Sequence, residues 1–490
     1  METPKVRRRL CNEQPLREQG DFVLYWMIAH RRGSYNFALQ RAAELAHSLG
    51  RPLVILEALR FGYPHASDRL HAFILQGMAE NRRFFEDRPV SYFPFVETEE
   101  HRGGGLLVEL AERACAVVTD DFPAFFLPRM VEAAARKLSV MLEAVDSNGL
   151  LPLRNTDKLH ARAYGFRGYV HRQIMAEELV WPRRDPLEIL DAQGPAQIPE
   201  QILKSWPLAQ GALLENPAAH LSKLPIDHDV EVVEETPGGI QEAQRRLDAL
   251  LTDHLDEYHK RIRELTETHE SGLSPYLHFG HISTHRIVEA IFEQEGWSIE
   301  QVDEGRVGKS EGFWGLSAGA EAYLDQLLTW RELGFNRCAL DTDGYADYET
   351  LPGWALKTLE EHADDPRPFV YSLAEFEEAT THDELWNAAQ RELVGRGTMH
   401  GYLRMLWGKK ILHWSASPQE ALEIMIELNN KYALDGRDPN SYSGIFWILG
   451  RFDRAWGPER EVFGKIRYMT SKSTRSKFNV TAYVERYGAS

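Results

Sequence analysis

Residues 22–59 read FVLYWMIAHRRGSYNFALQRAAELAHSLGRPLVILEAL, and they contain the pattern from which we predict the N-terminal architecture. An apolar run at 22–27 is followed by a helical pattern that ends at Gly50, a residue type that commonly closes helices. Four further apolar runs lie at 52–59, 91–96, 115–120 and 139–146. Apolar runs that alternate with helical patterns predict a Rossmann-like, doubly wound parallel sheet in an α/β domain.

The predicted organisation has three parts. The α/β domain occupies residues 1–180, although the glycine-rich fingerprint of dinucleotide-binding sheets does not follow its first strand. Residues 181–240 contain repeated prolines, which predict an interdomain linker. Beyond this segment the strand pattern disappears, and we predict an all-α domain over 241–490. Ser274 and Ser417, each followed by proline, are predicted N-caps in that domain.

Composition limits the class of protein. The 490 residues carry a net charge of −18, with 43% hydrophobic and 27% charged residues, as in ordinary globular proteins. No apolar run approaches the roughly 18 residues that a membrane helix needs. The N-terminus METPKVRRRL lacks the apolar core of a secretion signal. Three cysteines are too few for a disulfide framework or a metal cluster. We therefore expect a cytoplasmic protein without membrane contact or bound metal.

Tryptophans are concentrated in the C-terminal part, where nine of the 12 follow residue 290. Trp407 and Trp414 are seven residues apart on one predicted helix, so they share a face and lie about 10 Å apart along its axis. Trp386 lies on the preceding predicted helix. Such a row forms either a packing seam or a chain of redox-active rings that leads to a buried cofactor.

Residues 451–477 form a basic segment in this acidic protein. Eight Lys and Arg residues face three Asp and Glu residues, which gives a local charge of +5, and aromatic residues are interleaved. A solvated surface has this composition, and so does a groove for a nucleic-acid backbone. The cations that we assign to DNA binding are Arg454, Lys465, Arg467, Lys472 and Arg475.

Five ordered motifs resemble the photolyase/cryptochrome family and, within it, the class II cyclobutane pyrimidine dimer photolyases. They are SGLSPYLHFGHIS (271–283), LDQLLTWREL (324–333), DELWNAAQRELVGRGTMHGYLRMLWGKKILHW (383–414), LNNKYALDGRDPNSY (428–442) and DRAWGPEREVFGKIRYM (453–469). The resemblance implies an N-terminal antenna domain and a C-terminal domain that holds FAD. It also implies an antenna chromophore, a deazaflavin or a folate, of which we favour the deazaflavin.

The resemblance implies light-driven DNA repair. In this family, reduced FAD excited by light gives one electron to a pyrimidine dimer flipped out of double-stranded DNA, and the cyclobutane ring splits. The cofactor supplies this chemistry, and the protein binds and orients it. We therefore expect a monomeric carbon–carbon lyase that acts on deoxyribodipyrimidine sites in DNA.

The resemblance also assigns residues to the FAD site. The phosphate loop corresponds to Ser271, Gly272, Leu273 and Ser274, for which a simple helix cap is the alternative. Tyr258 resembles a tyrosine that contacts FAD, but Arg261 and Arg263 straddle the position of its companion arginine. The residues matched beside the flavin ring are Arg404, Asn429, Asp435, Gly436 and Asp438. A surface salt bridge is the alternative for Arg404 and Asp435, and an ordinary turn is the alternative for the loop at Gly436.

Further matches concern electron transfer and the lesion. Trp386, Trp407 and Trp414 match the tryptophans that pass electrons to FAD. Trp330 and Trp447 match the aromatic residues that pack on the flipped dimer, and Met405 matches a methionine in the same pocket, where flat rings and a soft thioether suit pyrimidines.

Gln326 departs from the family pattern, because it occupies the position of a glutamate that contacts the dimer carbonyl. An amide donates a hydrogen bond permanently but supplies no proton. We expect weakened repair, and the change also favours a cryptochrome-like photosensor or an altered substrate. A light-dependent flavoenzyme for a small molecule is a third hypothesis. Trp330, Trp447 and the basic segment favour repair.

Overall fold

The computed structural model describes residues 2–176, 179–190, 194–209, 211–260, 265 and 270–488. The chain divides into two compact units, and both are discontinuous in sequence. The first contains Met1–Asp157, Ala176–Asp248 and Gly272–Gln294. The second contains Lys158–Met175, Ala249–Ser271 and Glu295–Ser490. The sequence-based division at 1–180, 181–240 and 241–490 stays a prediction.

A six-stranded sheet forms the centre of the first unit, with the strand order β1-β6-β5-β2-β3-β4. The strands are β1 (Arg8–Leu10), β2 (Phe22–Met27), β3 (Leu53–Leu59), β4 (Val90–Val96), β5 (Ala114–Asp120) and β6 (Leu142–Val145). Strands β2 to β6 are parallel, so the prediction of a doubly wound parallel sheet is confirmed. The sequence analysis missed β1, an antiparallel edge strand of only three residues that carries two arginines.

Burial explains why the apolar runs identify the strands so well. All six residues of β2 are buried, because a central parallel strand is covered on both faces and has no polar side. The helix after β2 starts at Phe37, where the Asn36 side chain accepts hydrogen bonds from two backbone N–H groups. It ends at Gly50, whose φ of 62° confirms the predicted helix end.

The α-helices surround the sheet in the first unit and build nearly all of the second. In chain order they are α1 (Phe37–Leu49), α2 (Asp68–Phe85), α3 (Leu106–Ala111), α4 (Leu127–Ala135), α5 (Ala163–Ala176), α6 (Glu200–Ser205), α7 (Gly211–Glu215), α8 (Ile240–Ala249), α9 (Ser274–His278), α10 (Thr284–Glu295), α11 (Ala318–Leu324), α12 (Glu332–Leu340), α13 (Gly353–Glu361), α14 (Leu373–Glu377), α15 (Glu384–Arg396), α16 (Gly401–Trp414), α17 (Pro418–Tyr432), α18 (Pro439–Ile448), α19 (Ser471–Lys477) and α20 (Thr481–Tyr487). The helical second unit confirms the predicted fold class of the C-terminal part.

Helix α18 packs against α12, α16 and α17 within the second unit. Two glycines permit this packing. A Cβ on Gly334 of α12 would lie 2.6 Å from the Pro439 carbonyl oxygen, and one on Gly408 of α16 would lie 2.0 Å from Ile448 Cδ1. A larger residue at 334 would meet the backbone of α18 and push the helix away, whereas one at 408 would displace the Ile448 side chain.

Two features are absent from the described residues: a membrane-spanning helix and a metal-binding cluster. None of the helices combines the length and the apolar character needed to cross a membrane. No group of three or more His, Cys, Asp or Glu side chains within those residues is arranged to hold a metal ion.

Asp120, at the end of β5, fixes the chain that leaves β2. Its Oδ2 accepts hydrogen bonds from the backbone N–H groups of Ile28, Ala29 and His30 at 2.7–3.0 Å. Its Oδ1 accepts one from the Tyr25 hydroxyl at 2.7 Å. The carboxylate therefore satisfies four buried donors at the point where the strand order reverses.

We expect Asp120→Ala to lower the free energy of unfolding of the first unit by about 3 kcal/mol, because buried donors would lose their acceptor. Urea denaturation followed by circular dichroism measures this loss. Asp21→Ala is the control, since Asp21 is 63% exposed and Arg113, its ion-pair partner among the described residues, is exposed too. It should change stability by less than about 1 kcal/mol. Equal effects of the two substitutions would contradict the assignment.

Candidate functional site

Arg404 on α16 and Asp435 after α17 form the ion pair expected from the sequence. Both guanidinium Nη atoms lie 3.2 Å from Asp435 Oδ1. The two side chains are only 23% and 15% exposed, so the alternative of a solvated surface bridge does not apply. Burial lowers the pKa of Arg404, but Asp435, Glu270 and Glu392 raise it, and the pKa is raised overall. The guanidinium therefore stays charged beside α17.

Asn429, near the end of α17, is buried and held in one orientation. Its Nδ2 donates a hydrogen bond to Ser441 Oγ at 2.7 Å. Because Ser441 lies on α18, the amide plane is fixed by the helix packed against α17. A fixed neutral amide is the kind of group that the sequence analysis expects beside flavin N5.

The loop after α17 is tightly closed. A Cβ on Gly436 would lie 2.6 Å from the Asn429 carbonyl oxygen, so only glycine fits there. Arg437 has a φ of 66°, and its guanidinium donates to backbone carbonyls at the end of α17. Asp438 is the N-cap of α18, where it accepts a hydrogen bond from the Asn440 N–H, and it lies 3.9 Å from Arg331. Gly436 and Asp438 therefore shape the loop.

Ser271 and Tyr258, two predicted FAD contacts of the second unit, meet at Tyr323. The Tyr323 hydroxyl is hydrogen-bonded to Ser271, and burial raises the Tyr323 pKa. The Tyr258 and Tyr323 rings are in edge-to-face contact at 4.9 Å. Sequence reasoning missed Tyr323 because nothing in its spacing distinguishes it from a core aromatic residue. Arg261 and Arg263 lie outside the described residues.

The rest of the predicted phosphate loop belongs to the first unit. Ser274 is exposed and is the first helical residue of α9, with the buried Leu273 as N-cap, so the prediction of Ser274 as N-cap is wrong by one residue. Gly272 has a φ of 62°, and a Cβ there would lie 2.5 Å from Arg246 Nη1. Arg246 is a cation beside this loop that the sequence analysis did not identify.

Gln326 and Trp330 lie in a π-helical segment, Asp325–Arg331, which joins α11 to α12. Such wide turns are rare and occur frequently at functional sites. Both side chains are half-buried. Within the described part of the chain, the Gln326 amide forms no hydrogen bond, so it is available to a ligand. The sequence pattern did not reveal the π-helical turn, because a π-helix differs from an α-helix in the spacing of its backbone hydrogen bonds and not in residue type.

The three predicted redox tryptophans are buried and form one group. Trp386 Nε1 donates to the Trp407 carbonyl oxygen at 3.0 Å, and the Trp386 and Trp414 rings are 6.1 Å apart. The group continues into Tyr371, whose ring lies 5.8 Å from Trp414 and whose hydroxyl is hydrogen-bonded to His382 Nδ1 at 2.7 Å. Tyr371 and His382 were missed because they lie on connecting segments without helical spacing.

Trp447, at the end of α18, belongs to a stack of rings and cations. Arg467 lies 5.1 Å from the Trp447 ring centre and 4.0 Å from that of Trp456. Arg454 covers Trp456 at 4.3 Å. Asp453 accepts hydrogen bonds from Arg467 Nε and Trp456 Nε1, both at 3.2 Å. Two of the predicted DNA-binding cations are therefore held in place by aromatic rings.

The other predicted DNA-binding cations are exposed. Lys465 forms an ion pair with Glu459 at 3.0 Å, and both side chains are about half exposed. Lys472 and Arg475 lie on α19 and have no ion-pair partner among the described residues. Arg451, which contributes to the basic segment in sequence, is buried against Phe446 and donates to the Tyr345 carbonyl oxygen. Met405 is half-buried on α16.

Lys409 lies beneath Trp447 and is fully buried. Its Nζ donates to the Ile448 carbonyl oxygen at 2.6 Å and lies 5.2 Å from the Trp447 ring centre. Burial lowers the pKa of Lys409 to about 7; Asp453 raises this pKa and Arg467 lowers it.

Comparisons with known proteins identify the family. No protein-family model matches the chain. A deoxyribodipyrimidine photo-lyase of Methanothermobacter thermautotrophicus is 34% identical over 481 residues, which are 98% of this chain and 97% of that protein. The deoxyribodipyrimidine photo-lyase of Arabidopsis thaliana is 32% identical over 482 residues, covering 96% and 90% of the two chains. That of Potorous tridactylus is 30% identical over 98% of this chain and 84% of its own.

A solved structure, that of a bacterial class III photolyase from Agrobacterium tumefaciens, has the same fold. It superposes with a TM-score of 0.64 at 15% identity and covers 96% of this chain and 86% of its own. Identities of at least 30% over nearly complete chains show that this protein belongs to the photolyase/cryptochrome family.

Lys409 gives this fold a pH-dependent stability. Between the folded pKa of about 7 and the usual value of 10.5, only the unfolded chain carries the Lys409 proton, so stability rises with pH. Lys409→Met removes this contribution. Urea denaturation between pH 7.5 and 9.5 should show a slope lower than that of the wild type by about 1 kcal/mol per pH unit. The control Lys357→Met, at a 75% exposed side chain, should keep the wild-type slope. Equal slopes for wild type and Lys409→Met would contradict the assignment.

Proposed function

We propose that this protein is a lyase that uses light to split cyclobutane pyrimidine dimers in DNA, with FAD as its photochemical cofactor. One observation carries the proposal. Helix α16 carries Arg404, which pairs with Asp435, the half-buried Met405, and the buried Trp407 and Trp414. A single helix therefore connects the residues predicted to bind the cofactor, the lesion and the electron path.

The described residues suit a flavin. Asn429 offers a fixed neutral amide, and Arg404 on α16 forms a largely buried charge pair with Asp435 in the loop after α17. A buried ion pair adds little to stability by itself, which supports a ligand-binding role. When bound, FAD supplies the electron donor that light excites. Ser271, Tyr258 and Tyr323 complete the cofactor residues that we propose in the second unit.

The buried tryptophans have a role that packing alone does not require. Indole rings in contact exchange electrons readily, and Trp386 and Trp414 are 6.1 Å apart. We assign Trp386, Trp407 and Trp414 to conduction of electrons through the helical unit. Gln390 accepts a hydrogen bond from Trp407 Nε1 at 2.8 Å and so fixes the ring plane.

We assign lesion recognition to Trp330, Trp447 and Met405. Their flat or polarisable side chains suit an extruded pyrimidine pair. The Gln326 amide donates a hydrogen bond to a pyrimidine carbonyl that gains negative charge. The cations proposed to hold the DNA backbone are Arg454, Lys465, Arg467, Lys472 and Arg475. The class II assignment, the antenna chromophore, the monomeric state and the cytoplasmic location stay predictions.

Loss of the Arg404–Asp435 pair should reduce cofactor binding. Arg404→Ala and Asp435→Ala each leave one charge without its partner, and we expect FAD per protein, measured by absorbance of the denatured sample, to fall several-fold. Lys431→Ala is the matched control, because the Lys431–Glu377 pair has side chains 25% and 28% exposed. Full FAD occupancy in both site variants would refute the cofactor assignment.

Illumination tests the activity directly. Purified protein with a reductant and a dimer-containing duplex should restore intact thymines under blue light and not in the dark. Trp447→Ala should reduce the preference for damaged over intact DNA by about tenfold, since base stacking contributes ~1–3 kcal/mol. Gln326→Glu should raise repair per absorbed photon. Absence of light-dependent dimer loss in the wild type would overturn the proposed function.

A further inference from the structure

A basic segment of the second unit lies outside the segment 451–477. Residues 158–175 contain Lys158, Arg162, Arg167 and Arg172 but no Asp or Glu, although the whole chain has a net charge of −18. The sequence analysis placed these residues in the α/β domain. In the structure they belong to the helical unit, because α5 packs on its elements.

The outer side of α5 is polar and exposed. Tyr164, Gly168 and Arg172 follow one another at intervals of four residues, so they share a helix face. The Tyr164 side chain is 63% exposed, and Gly168 lies against Gly308. This contact places Lys309 beside α5. Arg162, Arg172 and Lys309 are exposed, and no described residue forms an ion pair with any of them.

Two contacts connect α5 to the proposed lesion site. Arg167 Nε and Nη2 donate to the two Asp325 oxygens at 2.6 and 2.9 Å, and both side chains are nearly buried. Asp325 directly precedes Gln326 in the π-helical segment. At the other side, Arg162 pairs through its backbone with Phe452, two residues before Arg454. Arg162 therefore lies beside the Arg454 segment, and Arg167 attaches α5 to the π-helical segment that contains Gln326.

We propose that Arg162, Tyr164, Arg172 and Lys309, here named the α5 surface, contact the DNA backbone beside the flipped dimer. This inference rests on the proposed function and extends its DNA interface to a helix outside the basic segment. Unpaired cations on an acidic protein favour a polyanion, and an exposed tyrosine can pack on a sugar or an unpaired base. Asp303, Glu304 and Glu311 flank Lys309 in sequence, so we expect the two arginines to dominate.

The salt dependence of DNA binding tests the α5 surface. The affinity of the FAD-loaded protein for a duplex with one dimer is measured over a range of salt concentrations. We expect Arg162→Ala and Arg172→Ala each to reduce the slope of log affinity against log salt by about 0.9, and the double variant by about 2. Arg172→Glu should weaken binding further. The preference for damaged DNA and dimer splitting in the bound complex should stay at wild-type values.

Lys137→Ala, at an exposed lysine of the first unit, is the control and should keep the wild-type slope. The variants sit at exposed positions, and unchanged FAD content confirms that they are folded. If the wild-type protein binds and repairs DNA while the double variant and Arg172→Glu keep its salt slope, the proposal for the α5 surface is overturned. The proposed function then stays intact. A wild-type protein that neither binds nor repairs dimers would instead overturn the proposed function and this inference with it.

Discussion

The packing of α18 is the constraint on which the helical unit depends. Gly334 allows α12 to approach the backbone of this helix at a distance that excludes any side chain, and Gly408 of α16 leaves room for the Ile448 side chain. Asp438 caps its first turn and lies near Arg331, at the end of the π-helical segment. Every proposed ligand-binding group of α16, α17 and the π-helical segment is therefore positioned relative to one short helix.

Buried basic side chains satisfy the carbonyl ends of helices in this unit. Lys409 donates to the Ile448 carbonyl at the end of α18. Arg437 donates to the Asn430 carbonyl in the last turn of α17 and to the carbonyl of the C-cap residue Ala433. At the end of α17 the positive charge of the Arg437 guanidinium is favourable, because the peptide dipoles concentrate negative charge there. Each side chain also positions a proposed site residue, since Lys409 lies under Trp447 and Arg437 closes the loop that follows Asn429.

Sequence patterns predicted those features that depend on burial or on local backbone chemistry. The strands β2, β5 and β6 are fully buried and β3 is nearly so, which explains their mainly apolar sequences. Ser417 accepts a hydrogen bond from the Glu420 N–H as expected of an N-cap. The ion pair of Arg404 and Asp435 followed from the family resemblance. The sequence did not predict features that depend on tertiary contacts. The membership of α5 in the helical unit, the position of Arg246 and the burial of Arg451 depend on contacts between distant parts of the chain.

The grouping of cations in an acidic protein affects the encounter with a polyanion. In a molecule with a net charge of −18, a basic segment such as 451–477 makes the charge distribution dipolar. Near a nucleic acid, the dipole experiences a torque that turns the cations toward the backbone before any atom touches it. The torque acts over roughly 8–10 Å at physiological ionic strength. Productive collisions then depend on how the molecule is oriented as well as on how often it arrives.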